Sequence, residues 1–257
     1  MTDTPTTLRL SRSGKVQVIA YDRPEQRNAW NATCARETVE AILAANADPQ
    51  VGAIVLTGEG ATFCAGADLK AKEFDPETGR RQTPATFTMG TGDGNLLSLI
   101  ERSKPVVAAI NGPAIGIGAT HALCADIRVS GESGSFNFPF LKLGAMPECG
   151  SSALLGRLIG PGRATDVLLR SRKIDARQAL AWGLVTEVFP DDELRDQAIA
   201  LAEQLAGTGA LQMRLTKQML AQNMGNGDAE AIMKVENRAF LELLKTMKAD
   251  KPLPAQG

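Results

Sequence analysis

The sequence predicts an α/β fold, and three observations predict it. Short β-branched runs bounded by Gly, Pro or charge recur through the first two-thirds of the chain. Helical stretches with Asn or Asp caps lie between them. The last third reads as helix throughout, so an α/β layer structure is followed by a helical region.

The strands are VQVIAY (Val16–Tyr21), VGAIVLTG (Val51–Gly58), KPVVAAING (Lys104–Gly112), ADIRVSG (Ala125–Gly131) and LVTEVFP (Leu184–Pro190). Between the first two, NATCARETVEAILAANAD is helical with Asn31 as its cap. Further on, Asp175 caps ARQALAW and Gly183 stops it. Asp191 or Asp192 opens a helix ended by Gly207, with Leu194, Ala198, Leu201, Ala202 and Leu205 on one face. Leu211–Gln222 and Asp228–Met247 are further helical runs. The expected division is an α/β core over residues 1–195 and a helical region over 196–257. Gly79–Gly94 carries the weakest structural signal and reads as a mobile loop, and the tail KADKPLPAQG reads as loose.

Composition narrows the function. Of 257 residues, 44% are hydrophobic and 22% charged, enough apolar content for a full core. A formal net charge of −1 and the lack of any basic run argue against nucleic acid or an anionic membrane as partner. No window approaches the roughly 18 apolar residues of a membrane span. The N-terminus has neither the basic start nor the apolar stretch of a signal peptide. Cys34, Cys64, Cys124 and Cys149 are widely spaced, and His121 is the only histidine. Neither a zinc site nor a disulfide framework is expected, which makes the cytoplasm the expected location. Any Ser–His or Cys–His hydrolase would have to use His121.

Two segments repeat one arrangement. VGAIVLTGEGATFCAGADL is a strand, a glycine turn and an AGAD able to open a helix; PVVAAINGPAIGIGATHAL is a strand, a glycine turn and a helix start. Glycine permits sharp turns and close approach to backbone N–H groups, and a helix start leaves such groups unsatisfied. Brought together, two such turns would aim two N–H groups at one oxygen, an oxyanion hole. Equally, the glycines would serve only to turn the chain. GxGxxG and GxxxxGK[ST] phosphate motifs are absent.

Taken together, RPEQRNAW (Arg23–Trp30), GEGATFCAGADLK (Gly58–Lys70), KPVVAAINGPAIGIGA (Lys104–Ala119), ADIRVSGESGSFNFPFLKLGAMPECGSS (Ala125–Ser152) and IDARQALAWGLVTEVFP (Ile174–Pro190) resemble the crotonase, or enoyl-CoA hydratase/isomerase, superfamily. The resemblance implies a spiral of β-β-α turns, a C-terminal helical trimerisation region, a homotrimer or dimer of trimers, and an acyl-CoA thioester as substrate with no separate cofactor and no metal. It implies that the N–H groups of Ala67 and Ile117 polarise the thioester carbonyl. Ile117 departs from the glycine common at its position, which keeps the N–H but adds bulk. CoA is expected to follow the backbone near Arg27–Ala29 and Ala65–Leu69, including Gly66 and Asp68, with Gly116 in the second turn. Lys70 would meet a CoA phosphate or is an ordinary surface lysine, and Asp68 is expected to hold the oxyanion loop.

The resemblance also speaks to the reaction. Hydratases of the family carry two glutamates, at the positions of Thr120 and Phe140; neither is acidic here, and neither residue exchanges protons near neutral pH. Instead Glu148, in PECGSS, stands where Δ3,Δ2-enoyl-CoA isomerases carry their single acid/base. A double-bond shift needs one base, and a carboxylate between apolar walls suits it, with burial raising its pKa. The bland alternative makes Glu148 a carboxylate stabilising a helix N-terminus. Thr120 would contact substrate or fill the first helical turn, and Phe138 and Phe140 would line the acyl pocket or pack beneath it. The expected activity is 3-enoyl-CoA to 2-trans-enoyl-CoA isomerisation. Hydratase, dienoyl-CoA isomerase or ring-forming isomerase chemistry, a non-catalytic acyl-CoA-binding role and, more distantly, a Ser–His hydrolase through Ser151 or Ser152 stay open.

Overall fold

The structure, a computed structural model, describes residues 4–71, 95–225 and 227–250. The Gly79–Gly94 loop expectation and the last residues of the tail lie outside them. The chain divides into two units, residues 1–207 and 208–257.

In the first unit, β1 (Leu8–Ser13) pairs antiparallel with β2 (Val16–Tyr21), and β2 then runs parallel to β3 (Ala53–Gly58). Beyond β3, parallel pairing continues through β4 (Val106–Ile110) and β6 (Ile127–Gly131) to β9 (Glu187–Phe189), giving the order β1-β2-β3-β4-β6-β9. Parallel strands covered on both faces read as continuous apolar runs, and side chains alternate between the faces. Val16, Val18, Ala53, Val55, Val107 and Ala109 therefore form one cluster, while Ile19, Tyr21, Ile54, Leu56, Ala108 and Ile110 enter the larger core opposite.

A second sheet holds three short strands, β5 (Pro113–Ile115), β7 (Ser135–Asn137) and β8 (Lys173–Asp175), in that order. The turn after β3 reaches it through a single parallel bridge from Cys64 to Ala114. β3, β4 and β6 of the large sheet are each followed by a short segment in the small one, as in the expected spiral of β-β-α turns.

Helices fill the crossovers. Asn31 caps α1 (Ala32–Ala47) by accepting the Cys34 N–H at 2.8 Å, as expected. The others are α2 (Leu96–Arg102), α3 (Ile117–Cys124), α4 (Ser151–Ile159), α5 (Pro161–Arg170) and α6 (Ala176–Trp182). Asp175 caps α6 through the Gln178 N–H at 2.8 Å, and Gly183, at φ 77°, ends it.

Two expectations are corrected at α7 (Leu194–Ala206). Its N-cap is Glu193, without a side-chain bond, because the Asp191 carboxylate accepts the Ser133 N–H at 3.0 Å in the turn between β6 and β7. And α7 belongs with the sheet: Leu194, Ala198 and Ala202 bury against Val55, Val107 and their neighbours. The division therefore falls at Gly207, one helix later than residue 195. AGAD opens no helix through residue 71; Asp68 turns the chain there by accepting the N–H groups of Lys70 and Ala71, both at 3.1 Å.

The second unit holds α8 (Ala210–Asn223) and α9 (Ala229–Asp250), which pack on each other. Asp228 accepts the Glu230 and Ala231 N–H groups at the start of α9, and α9 continues through Lys248–Asp250, residues expected to be loose.

Candidate active site

The two glycine turns meet. Trp30 makes a lone parallel bridge with Ala67: its N–H donates to the Gly66 carbonyl and its carbonyl accepts the Asp68 N–H, both at 2.8 Å. In parallel pairing that pattern points the N–H of the intervening residue away from its partner. The Ala67 N–H therefore faces away from Trp30, and it has no acceptor among the described residues. Ile117 opens α3, so its N–H is one of the helix's unsatisfied donors. Gly116, at φ 53° and ψ −119°, makes the turn into the helix.

Two glycines allow the approach. A methyl group on Gly66 (φ +95°) would sit 3.0 Å from the Ile115 carbonyl oxygen, and one on Gly118 only 2.5 Å from that of Cys64. Hydrogen bonds lock the same segments, with Cys64 N–H to Pro113 O at 3.2 Å and Ile115 N–H to Cys64 O at 2.9 Å. The geometry brings Ala65, Gly66 and Ala67 beside Gly116 and Ile117.

Arg27–Ala29 flanks the first turn, with the Ala65 N–H donating to the Arg27 carbonyl at 3.0 Å. Arg27 and Asn28 adopt left-handed conformations, φ 52° and 54°, and the Asn28 amide secures them to the carbonyls of Glu59 and Thr62. Arg23, for which the sequence suggested no role, ties this segment to the first glycine turn. Its guanidinium donates to the Ala29 carbonyl and pairs with Asp68 at 2.9 Å, both side chains largely buried. Forty-five residues separate Arg23 from Asp68, so no local pattern could have revealed the pair. Leu69 and Lys70 are exposed beyond it.

Glu148 is half-buried on the turn before α4. Its carbonyl accepts the Ser151 N–H at 2.9 Å, and Cys149 and Gly150 follow at φ 51° and 72°. Cys149 sets this turn against α3, its sulfur 3.6 Å from that of Cys124. Ile117 and Cys124 lie at opposite ends of α3, about 10 Å apart along its axis. The turn that carries Glu148 therefore packs on the C-terminal end of the helix whose N-terminal end supplies the Ile117 N–H.

Thr120 and Phe140 are buried, and Thr120 turns its hydroxyl onto the Ile117 carbonyl at 3.1 Å. Phe138, Phe140 and the Ile117 side chain all belong to the main core. His121 is buried with its ring edge-on to Trp30 at a centroid distance of 4.1 Å, and burial pushes its pKa down to about 3. Among the described residues neither its Nδ1 nor the Ser151 hydroxyl has a hydrogen-bond partner, so no hydrogen bond joins the two. Burial raises the Cys34 thiol strongly and the Cys64 thiol to about 12, as befits apolar fillers. Among the described residues no group of three or more His, Cys, Asp or Glu side chains is placed to hold a metal ion, and no helix is long and apolar enough to cross a membrane.

Known proteins share this architecture. The enoyl-CoA hydratase/isomerase family profile matches residues 11–255. The 1,2-epoxyphenylacetyl-CoA isomerase of Escherichia coli K12 is 35% identical over 80% of this chain and 78% of its own. A probable enoyl-CoA hydratase of Mycobacterium tuberculosis H37Rv is 36% identical over 90% of this chain and 82% of its own. Among solved structures, an enoyl-CoA hydratase homologue from Thermobifida fusca, crystallised with acetoacetyl-CoA, superposes with a TM-score of 0.81 at 30% identity, covering 95% of this chain and 96% of its own. The chain belongs to the enoyl-CoA hydratase/isomerase family of the crotonase superfamily. It is an enzyme of that acyl-CoA-binding class.

Proposed function

We propose that the protein moves a double bond in an enoyl-CoA, converting 3-enoyl-CoA to 2-trans-enoyl-CoA. The Ala67 and Ile117 N–H groups hold the thioester oxygen. Glu148 takes a proton from C2, the negative charge of the resulting dienolate rests on that oxygen, and the same carboxyl returns the proton at C4. CoA runs along Arg27–Ala29 and Ala65–Leu69, with Lys70 towards its phosphates.

The observation that carries this reading is that α3 links the parts: Ile117, whose N–H is unsatisfied, opens it beside the turn bearing the Ala67 N–H, and Cys124 at its far end touches Cys149 of the turn that carries Glu148. Thr120 and Phe140, at the positions of the hydratase glutamates, are buried and cannot supply the second proton carrier that hydration needs. Glu148→Gln should abolish 3-enoyl-CoA turnover while leaving CoA binding and the melting temperature near wild type. A near wild-type isomerase rate in that variant would remove Glu148 from the mechanism.

The relative named as an epoxyphenylacetyl-CoA isomerase favours a second reading, ring-forming isomerisation with the same oxyanion hole and the same acid. A panel of 3-enoyl, 2-enoyl and aryl-epoxide CoA thioesters, scored for isomerisation, hydration and ring expansion, separates the readings. The C-terminal helices would assemble a cytoplasmic homotrimer or dimer of trimers, a state that light scattering measures directly.

A further inference from the structure

The thiols of Cys124 and Cys149 stand 3.6 Å apart, at van der Waals contact, at the joint between α3 and the turn that carries Glu148. We propose that this pair is a site of oxidative modification, closed to a disulfide by hydroperoxides. A disulfide requires the sulfurs to approach to about 2.05 Å with little backbone change, and here both residues already lie side by side. The Cys124 thiol also points towards the Cys149 carbonyl, at 3.9 Å, so the two residues face one another along their length.

The pair differs from the other two cysteines. Cys34 and Cys64 are buried and make no comparable sulfur contact among the described residues, whereas Cys149 is only partly buried. Cys149 is therefore the entry point. Its sulfur attacks hydrogen peroxide, the O–O bond breaks, and Cys149 becomes a sulfenic acid with release of water. The Cys124 sulfur then attacks the Cys149 sulfur, the S–O bond breaks, and the leaving hydroxide takes the Cys124 proton as a second water. The two cysteines together lose two electrons, and the peroxide gains them. Contact with the Cys149 thiol and burial keep the Cys124 thiol protonated in the reduced pair.

The bond acts on the site through the backbone. Cys149 sits at φ 51° and Gly150 at φ 72°, two consecutive left-handed residues between Glu148 and α4. Drawing Cys149 onto Cys124 shifts that turn, and a displacement of order 1 Å at a catalytic group costs roughly a hundredfold in rate. This consequence rests on the role proposed for Glu148; the bond itself does not.

The test treats the full chain with hydrogen peroxide, blocks free thiols and measures intact mass and peptide linkage. The expected product is lighter by two hydrogens, carries one Cys124–Cys149 link and leaves Cys34 and Cys64 free. Dithiothreitol should reverse it. Cys124→Ser should give no link and should instead accumulate oxygen on Cys149. Stable over-oxidation of Cys149 in the wild-type chain without a link, or linkage to Cys34 or Cys64, would overturn the proposal. Acyl-CoA turnover, measured in parallel, should fall about tenfold or more on oxidation and return on reduction. Linkage with unchanged turnover would leave the modification site standing and remove the Glu148 turn as its target.

Discussion

Trp30 pairs with Ala67 through one parallel bridge, and Arg23 fastens that bridge from behind by contacting both the Ala29 carbonyl and Asp68. The direction of the Ala67 N–H therefore depends on a side chain that touches neither N–H group. Arg23 spans the two segments with a planar fork, and lysine cannot reproduce both contacts. Arg23→Lys should lower kcat about tenfold with a smaller change in KM, because the loop stays in place but its aim loosens. Steady-state kinetics on the preferred acyl-CoA would show it; a wild-type kcat would make the Arg23–Asp68 pair purely structural.

Gly118 sets the second N–H in the same way, by close approach. A methyl group there meets the Cys64 carbonyl at 2.5 Å and its Cβ at 2.6 Å, and neither backbone nor Cβ can move aside cheaply. Gly118→Ala should push the start of α3 away from the first turn, destabilise the fold by about 2 kcal/mol and cut turnover about a hundredfold. Gly156 provides the contrast. It lies inside α4 with nothing within 4 Å of an added methyl group, so Gly156→Ala should stabilise by about 0.5–1 kcal/mol with no kinetic effect. Urea unfolding of both variants, alongside their kinetics, checks the pair.

These relationships mark what could be read in the sequence. The central strands were legible because a parallel strand buried on both faces must be apolar along its length, as AIVLTG and VVAAI are. β1 was not, because LRLSRS is an edge strand exposed after Leu8, and β5, β7 and β8 are three residues each, too short to show a period. The glycine turns were legible because positive φ at Gly66 and Gly116 demands the residue. What joins them was not: the Arg23–Asp68 pair and the Cys124–Cys149 contact cross 45 and 25 residues, and no local pattern encodes them. Asp191 looked like a helix cap because an acid before a helical run usually is one, and a tertiary donor, the Ser133 N–H, took it instead.

Glu37 ties the N-terminal segment to α1. Its two oxygens accept four hydrogen bonds, from the N–H and hydroxyl groups of Thr6 and Thr7, at 2.5–3.0 Å. Burial alone would raise its pKa, but those four donors outweigh it and hold the carboxyl below 4.5. A depressed folded-state pKa contributes stability above the unfolded value and loses it as pH falls through the folded one. Glu37→Gln keeps the shape but weakens the charge-assisted bonds, so it should cost about 1–3 kcal/mol at pH 7 and less below pH 4. Chemical denaturation at several pH values measures it; a cost independent of pH would show that shape rather than charge holds the segment.

His121 governs a separate window. Burial against Trp30 lowers its pKa from 6.5 to about 3, so the folded protein refuses the proton that the unfolded chain accepts near 6.5. Its contribution is complete above pH 6.5 and drains away as pH falls towards 3, at up to about 1.4 kcal/mol per pH unit. Glu37 adds its own loss only below 4.5, which leaves His121 to dominate between 6.5 and 4.5. His121→Phe keeps an aromatic ring beside Trp30 and removes the titrating nitrogen. Unfolding free energies measured from pH 7 to 4.5 should decline in the wild type and stay nearly flat in the variant, whatever its absolute stability. Parallel slopes in the two proteins would mean that His121 gains a proton in the folded state and that the ring is less sealed than its contacts with Trp30 imply.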